Sequence, residues 1–435
     1  MAKIPTRVSA ALINALAAGV VPRIGLDHIA IGREREVTAL MQDLEAIAEG
    51  GAAFRFIVGR YGSGKSFLLQ LLRNQAMEQG FVVADADLSS ELRLAGSKNQ
   101  AIATYRELMK NLATRTKPGG GAIALILEKW LSGILNQVAK TTERHPGDEA
   151  FDRQVEVRIR EVVEDLEGLV HGFDFANVII AYWQGYREDK TALKEAALRW
   201  LRGEFSTKTE AKSALGVRAI VDDDTWYDYI KLFAKFVADI GYRGMIIFLD
   251  EAVHLSKISH ARSRQSNYDK LLAMFNDSLQ GKAEYLGIVV GGTPQFIEDK
   301  RRGLYGDEAW RTRLAISRFL QDGLQDTAAP VIRLEPLSDR QLTQLLQRLS
   351  TLHCDRYNRS DRLAESQIET FKQAIASQLG ADRLSTPREV VRDFMTLLNV
   401  LHQNPQLTFE QLLNPSELRL SPTGEEDGEF AEFTL

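Results

Sequence analysis

Cysteine is almost missing from this chain. Cys354 is the only one in 435 residues, which excludes an internal disulfide and fits a reducing compartment. The seven histidines are scattered and never fall at ligand spacing, so no histidine metal site is read. Long apolar runs are missing too. Nothing approaches membrane-spanning length, and the N-terminus shows no long apolar segment followed by a cleavage site. A soluble, cytoplasmic protein with no membrane partner is expected. Nor is there a basic excess. Lys and Arg number 54 against 59 Asp and Glu, a formal net charge of −5, and the pI is about 5.9. That excludes a strongly basic coat for nucleic acid, though not a local basic patch. No internal repeat is visible. The rest is ordinary: 44% hydrophobic and 26% charged residues mark a globular chain, long enough for two or three domains.

One segment departs from this plain background. Gly59, Arg60, Tyr61, Gly62, Ser63, Gly64, Lys65 and Ser66 form a complete phosphate-binding loop. An apolar strand, residues 54–58, precedes it, and an apolar helix start from Phe67 to Leu72 follows it. Strand, glycine loop and helix in that order separate a real site from a chance string. The glycines let backbone N–H groups turn inward around a polyphosphate, and the helix N-terminus adds partial positive charge. Lys65 can reach the β- and γ-phosphates, and Ser66 can hold the magnesium ion.

The hydrophobic pattern outlines the organisation. Short helices are expected at residues 8–18 and 36–48, with the apolar residues Ile29 and Ile31 followed by Gly32 and Arg33 between them. Buried strands are expected at residues 81–86, 245–249, 286–290 and 331–334, and a helix at residues 99–113. Residues 116–121 form a glycine-rich linker, and the pattern beyond is helical to about residue 215. Its aromatics, Trp183, Tyr186 and Trp200 among them, fall at helical spacing and are expected to build that region's own core. Helices are also expected at 226–240 and 268–279, and from Ser338 onward the chain reads as helix, with Ser338 as an N-cap. Strands separated by helices mean an α/β fold with a parallel sheet covered on both faces. The expected divisions are 1–115, carrying the glycine loop; 116–222, a helical insertion; 223–335, the rest of the sheet; 336–415, a helical region; and 416–435, an acidic flexible tail.

Further chemistry lies at strand ends, which face the ligand crevice in such sheets. Asp250 ends the most hydrophobic strand and can bind magnesium; Glu251 beside it can activate the attacking water as general base. Thr293 ends the next strand, where its hydroxyl can approach the γ-phosphate and that water. Arg311, Arg313 and Arg318 follow. One of them can serve a neighbouring subunit's γ-phosphate, although each alone reads equally well as a surface ion-pair residue. Arg313 is the first choice and Arg318 the second. Arg388 follows Pro387 at a helix start, suited to an incoming phosphate. Two basic runs, residues 257–264 and 300–302, suit nucleic-acid phosphates or a solvated loop.

Together these residues resemble the AAA+ ATPases, in their origin-recognition-like branch. On that resemblance residues 59–66 are the Walker A element, Asp250 and Glu251 the Walker B pair, Thr293 sensor 1 and Arg388 sensor 2 in a C-terminal helical lid. Residues 29–34 look like the segment that lies against adenine. The stretches 19–25 and 386–394, with the glycine loop, further resemble the ATP-binding proteins of BREX-type phage-defence loci, whose trans-arginine position matches Arg313 and Leu314. Arg60 departs from the acidic residue that relatives often carry. The resemblance implies an AAA+ P-loop core with a large helical insertion, binding ATP and Mg2+. It implies homo-oligomers with ATP at subunit interfaces, and assembly, remodelling or loading on double-stranded DNA. Helicase, nuclease or methyltransferase partners are implied as well. The alternative is a nucleotide-gated scaffold that recruits effectors and uses slow hydrolysis as a reset. A small-molecule kinase would use the same loop, but Glu251 and Arg388 argue against it.

Overall fold

The structure is a computed structural model that describes residues 4–96, 99–142, 148–167, 169–315, 326–379 and 386–413. Arg318 and the expected tail at 416–435 lie outside the described residues. The chain divides into two compact units, one of Met1–Gly32, Tyr61–Phe67 and Glu335–Leu435, the other of Arg33–Arg60 and Leu68–Leu334.

The larger unit is built on five parallel strands. They are β1 (Ala52–Val58), β2 (Val82–Asp87), β3 (Met245–Asp250), β4 (Leu286–Gly292) and β5 (Val331–Arg333), in the order β2-β3-β4-β1-β5. All five coincide with the apolar runs expected as strands. Burial on both faces explains why they read as runs rather than alternations. Every residue of β4 is buried, as are the first five of β3. β1 shows what each face meets. Phe54 and Phe56 pack edge-on against Phe275 and Trp310, with ring centroids at 5.3 and 5.7 Å. Arg55, one residue out of phase, makes a bidentate ion pair with Asp43 of the helix Glu34–Ala48, at 2.6 and 2.7 Å.

The helical region runs through Ile123–Thr142, Glu149–Glu167, Gly172–Arg187, Thr191–Leu201 and Lys208–Leu215. Most of its aromatics are core, as expected of that spacing: Trp183 and Trp200 are buried, while Tyr186 and Phe173 stay exposed. That core is continuous with the sheet's, because Trp130 and Phe175 both pack on Phe236 of the helix Trp226–Asp239, at 5.2 and 5.7 Å. Two expectations change here. The helix expected to residue 113 ends at Lys110, and Ala113 instead exchanges backbone hydrogen bonds with Val83 at 2.7 and 3.0 Å. The open edge of β2 offers unpaired backbone groups, and these outbid one more helical turn. The glycine-rich stretch is not slack either. Gly121 N–H donates to Lys110 O and Ala122 N–H to Leu112 O, each at 2.8 Å, while Arg73 donates to Pro118 O at 3.2 Å.

The smaller unit is helical. Thr6–Ala17 packs with Asp339–Tyr357 and Pro387–Gln403, and Glu365–Leu379 completes the group. Ser338 caps its helix as expected, in a reciprocal capping box with Gln341, and Thr386 does the same with Glu389.

Candidate functional site

In the larger unit, the C-terminal edge of the sheet gathers three of the expected strand ends. β1 runs out into Gly59, whose N–H donates to Gly292 O of β4 at 3.2 Å. β4 lies between β1 and β3, so Asp250 ends the next strand but one on the same edge. Asp250 Oδ1 accepts the Glu251 N–H at 2.8 Å. A Cβ at Gly291 would collide with that carboxylate, so glycine is what leaves Asp250 room. Glu251 is exposed and holds φ at +56°, a left-handed conformation that a non-glycine residue adopts at a cost. Thr293 follows Gly292, and its buried Oγ1 has no hydrogen-bond partner among the described residues.

The sequence reading missed one member of this edge. Asp87 stands opposite Asp250 in the β2–β3 register. Its surroundings strip away water, and the charges of Asp250, Asp85, Glu251 and Glu107 add to that, holding its carboxyl above the usual carboxylate range. The alternation Asp85-Ala86-Asp87 at a strand end was the available signal.

In the smaller unit, the glycine loop turns through Gly62 at φ +74° and Gly64 at φ +95°, both left-handed. A side chain at Gly62 would also strike Thr386, whose Cβ would lie 2.6 Å from the new Cβ. Arg388 lies over the ring of Tyr61 at 5.2 Å, and its Nη1 donates to the Tyr61 hydroxyl at 2.9 Å. Tyr61 is otherwise 72% exposed. So the helix start bearing Arg388 rests on the glycine loop itself, a contact that residue spacing could not reveal. Gly32 is also left-handed, at φ +73°, and is packed against Gln341 and Leu337. Ile29 is buried and Ile31 half-buried in the irregular stretch after the short helix Leu26–His28.

Lys65 and Ser66 open the helix Lys65–Glu78, with Phe67 half-buried behind them and no acid in the first turn. N–H groups, a lysine and a hydroxyl at a helix N-terminus make a donor set suited to a polyphosphate anion. Asp250 is an acceptor suited to a hard cation. No group of three or more His, Cys, Asp or Glu among the described residues forms a ready-made metal cage.

The other expected residues are placed more plainly. Arg60 is exposed and Ser63 half-buried. Arg33 is buried beside Glu36, 3.4 Å away, in the larger unit. Arg313 is exposed on the helix Glu308–Arg313, where it donates to Asn276 Oδ1 at 3.1 Å and Ala309 O at 3.0 Å. Arg311 stands 4.0 Å from Glu308. Among the described residues no helix is long and apolar enough to cross a membrane.

A family model described as BREX system ATP-binding protein BrxC/D matches residues 4–417. No curated protein matches the chain. With nearly its whole length covered, the chain belongs to the BREX system ATP-binding protein family.

Proposed function

We propose that this member of the BREX ATP-binding family is a magnesium-dependent ATP hydrolase. The observation that carries the reading is the loop that springs from β1. Its glycines at 62 and 64 are left-handed, it ends in Lys65 and Ser66 at a helix start, and the strand next but one on that sheet edge ends in Asp250 and Glu251. Lys65 and the loop N–H groups would neutralise the β- and γ-phosphates, with Ser66 and Asp250 holding magnesium. The metal, when bound, supplies charge neutralisation on the phosphate oxygens. Glu251 would accept the proton of the attacking water, and the Thr293 hydroxyl, buried without a partner, would orient that water. Arg388 would exchange Tyr61 for the γ-phosphate. Residues 29–33 would lie against the base.

Hydrolysis would drive assembly of subunits and their loading on duplex DNA in phage defence, with Arg313 serving the neighbouring subunit's nucleotide and a helicase, nuclease or methyltransferase as partner. Glu251→Gln is expected to retain ATP affinity and to lose at least about a hundredfold in turnover, the scale of a general-base contribution. Equilibrium binding of a fluorescent ATP analogue and steady-state phosphate release measure the two. Normal hydrolysis by Glu251→Gln would remove the base assignment. Absence of magnesium-dependent nucleotide binding in the unaltered protein would remove the whole reading.

A further inference from the structure

The two basic runs noted in the sequence meet in the folded larger unit. Arg264 Nη1 donates to Ile258 O at 2.7 Å, and Arg302 Nη2 donates to the same oxygen at 3.3 Å and to Lys257 O at 3.3 Å. Two guanidinium groups therefore share one carbonyl. Tyr268 OH donates to Arg302 O at 2.5 Å, which ties the 300–302 turn to the helix Ala261–Leu279. Arg93 joins the group by donating to Ser263 Oγ at 3.4 Å.

Lys257, Arg262, Arg264, Lys300, Arg301 and Arg302 make no salt bridge among the described residues. Asp299 lies among them, but its carboxylate accepts the backbone N–H groups of Arg301 and Arg302 at 2.7 and 3.2 Å, which shapes the turn without forming an ion pair. Asp269 and Asp307, on the flank, accept from Gln265 at 2.9 Å each. The setting raises the electrostatic cost further. Arg262 and Arg264 sit in the first turn of Ala261–Leu279, where the helix dipole is positive, and no acid is present there to offset them. Asp299 offsets part of the charge of Arg301 and Arg302, but like charges without an ion pair at the positive end of a helix break the local rule for stability. An anion repeated along a surface would relieve all of them at once.

We propose that this cluster is the surface by which the protein grips a nucleic-acid phosphate backbone. Lys257, Arg262, Lys300 and Arg301 are the exposed contacts, while Arg302 holds the two segments together and Arg264 braces the first. Contacts of this kind are to phosphates and carry no base sequence information. The inference rests on the reading of nucleic acid as a partner made above, and it gives that partner a place.

The test uses the full chain with ATP and magnesium, and fluorescent duplex and single-stranded oligonucleotides titrated over a series of salt concentrations. One variant carries Lys257→Ala, Arg262→Ala, Lys300→Ala and Arg301→Ala. A control of equal charge change carries Lys140→Ala, Arg153→Ala, Lys190→Ala and Lys208→Ala, all exposed elsewhere on the same unit. The cluster variant is expected to keep ATP affinity, to bind oligonucleotide about tenfold or more weakly, and to show a salt slope shallower by roughly 3–4, since each phosphate contact contributes about 0.9. The control is expected to bind as the unaltered protein does, and the two oligonucleotides show which strand form supplies the backbone. Unchanged binding and slope in the cluster variant would overturn this site while leaving nucleic acid as a partner. Equal weakening in the control would overturn it as a mere net-charge effect. A change of particle size with oligonucleotide affinity intact would make the cluster a contact between copies, and overturn it. No oligonucleotide binding by the unaltered protein would remove both the partner and the site.

Discussion

Asp87 illustrates what a single residue gives up for a working edge. Loss of surrounding water, and then the charges of Asp250, Asp85, Glu251 and Glu107, raise its pKa. A carboxyl with a raised folded pKa resists ionisation in the folded state, so its charge costs stability above that pKa and costs nothing below the ordinary value of 3.8. Asp87→Asn is therefore expected to melt at a higher temperature than the unaltered protein near neutral pH. The difference should shrink to nothing as the pH falls through the usual carboxylate range. A melting-temperature gap that persists in acid would mean a packing effect instead. Asp250 and Glu251 were legible in the sequence because five apolar residues point to them. Asp87 was not, because its importance comes from the strand hydrogen-bonded beside it. Tyr61 was legible as a loop residue, but its pairing with Arg388, 327 positions away, was not.

Elements differ in how clearly they announce their ends. The helix Ala261–Leu279 begins seven residues before the apolar pattern that reveals it at Tyr268, because its first two turns are polar and basic. The Ser338 and Thr386 helices are better marked, since a Ser or Thr followed three residues later by Gln or Glu is a chemical start signal. Thr386 has a second duty, lying where any side chain at Gly62 would sit. Thr386→Ala removes the cap and is expected to cost about 0.5–2 kcal/mol in chemical denaturation. It should also weaken ATP binding through the loosened loop, while Thr386→Ser restores most of both. A stability loss with ATP affinity intact would separate the cap from the loop.

At the scale of the whole molecule, the helical region and the sheet share one hydrophobic core, so those helices are part of the scaffold that carries the strand ends. Arg313 belongs to this scale as well, because its proposed partner lies on another copy. Lys65→Ala and Arg313→Ala proteins are each expected to lose ATP turnover. A mixture of the two should recover part of it, since a mixed interface can pair an intact loop with an intact arginine. Recovery absent under conditions where the copies associate would assign Arg313 to its own surface contacts with Asn276 and Ala309. Local chemistry was enough to determine the five strands, the glycine loop and the acid pair, because apolar runs and short motifs act over neighbouring residues. Only the tertiary structure decided which strands adjoin, that Ala113 leaves its helix for a sheet edge, that Arg388 rests on Tyr61, and that two distant basic runs form one cluster. Those outcomes depend on hydrogen bonds and charges between segments remote in sequence, and no local pattern encodes a distance across the fold.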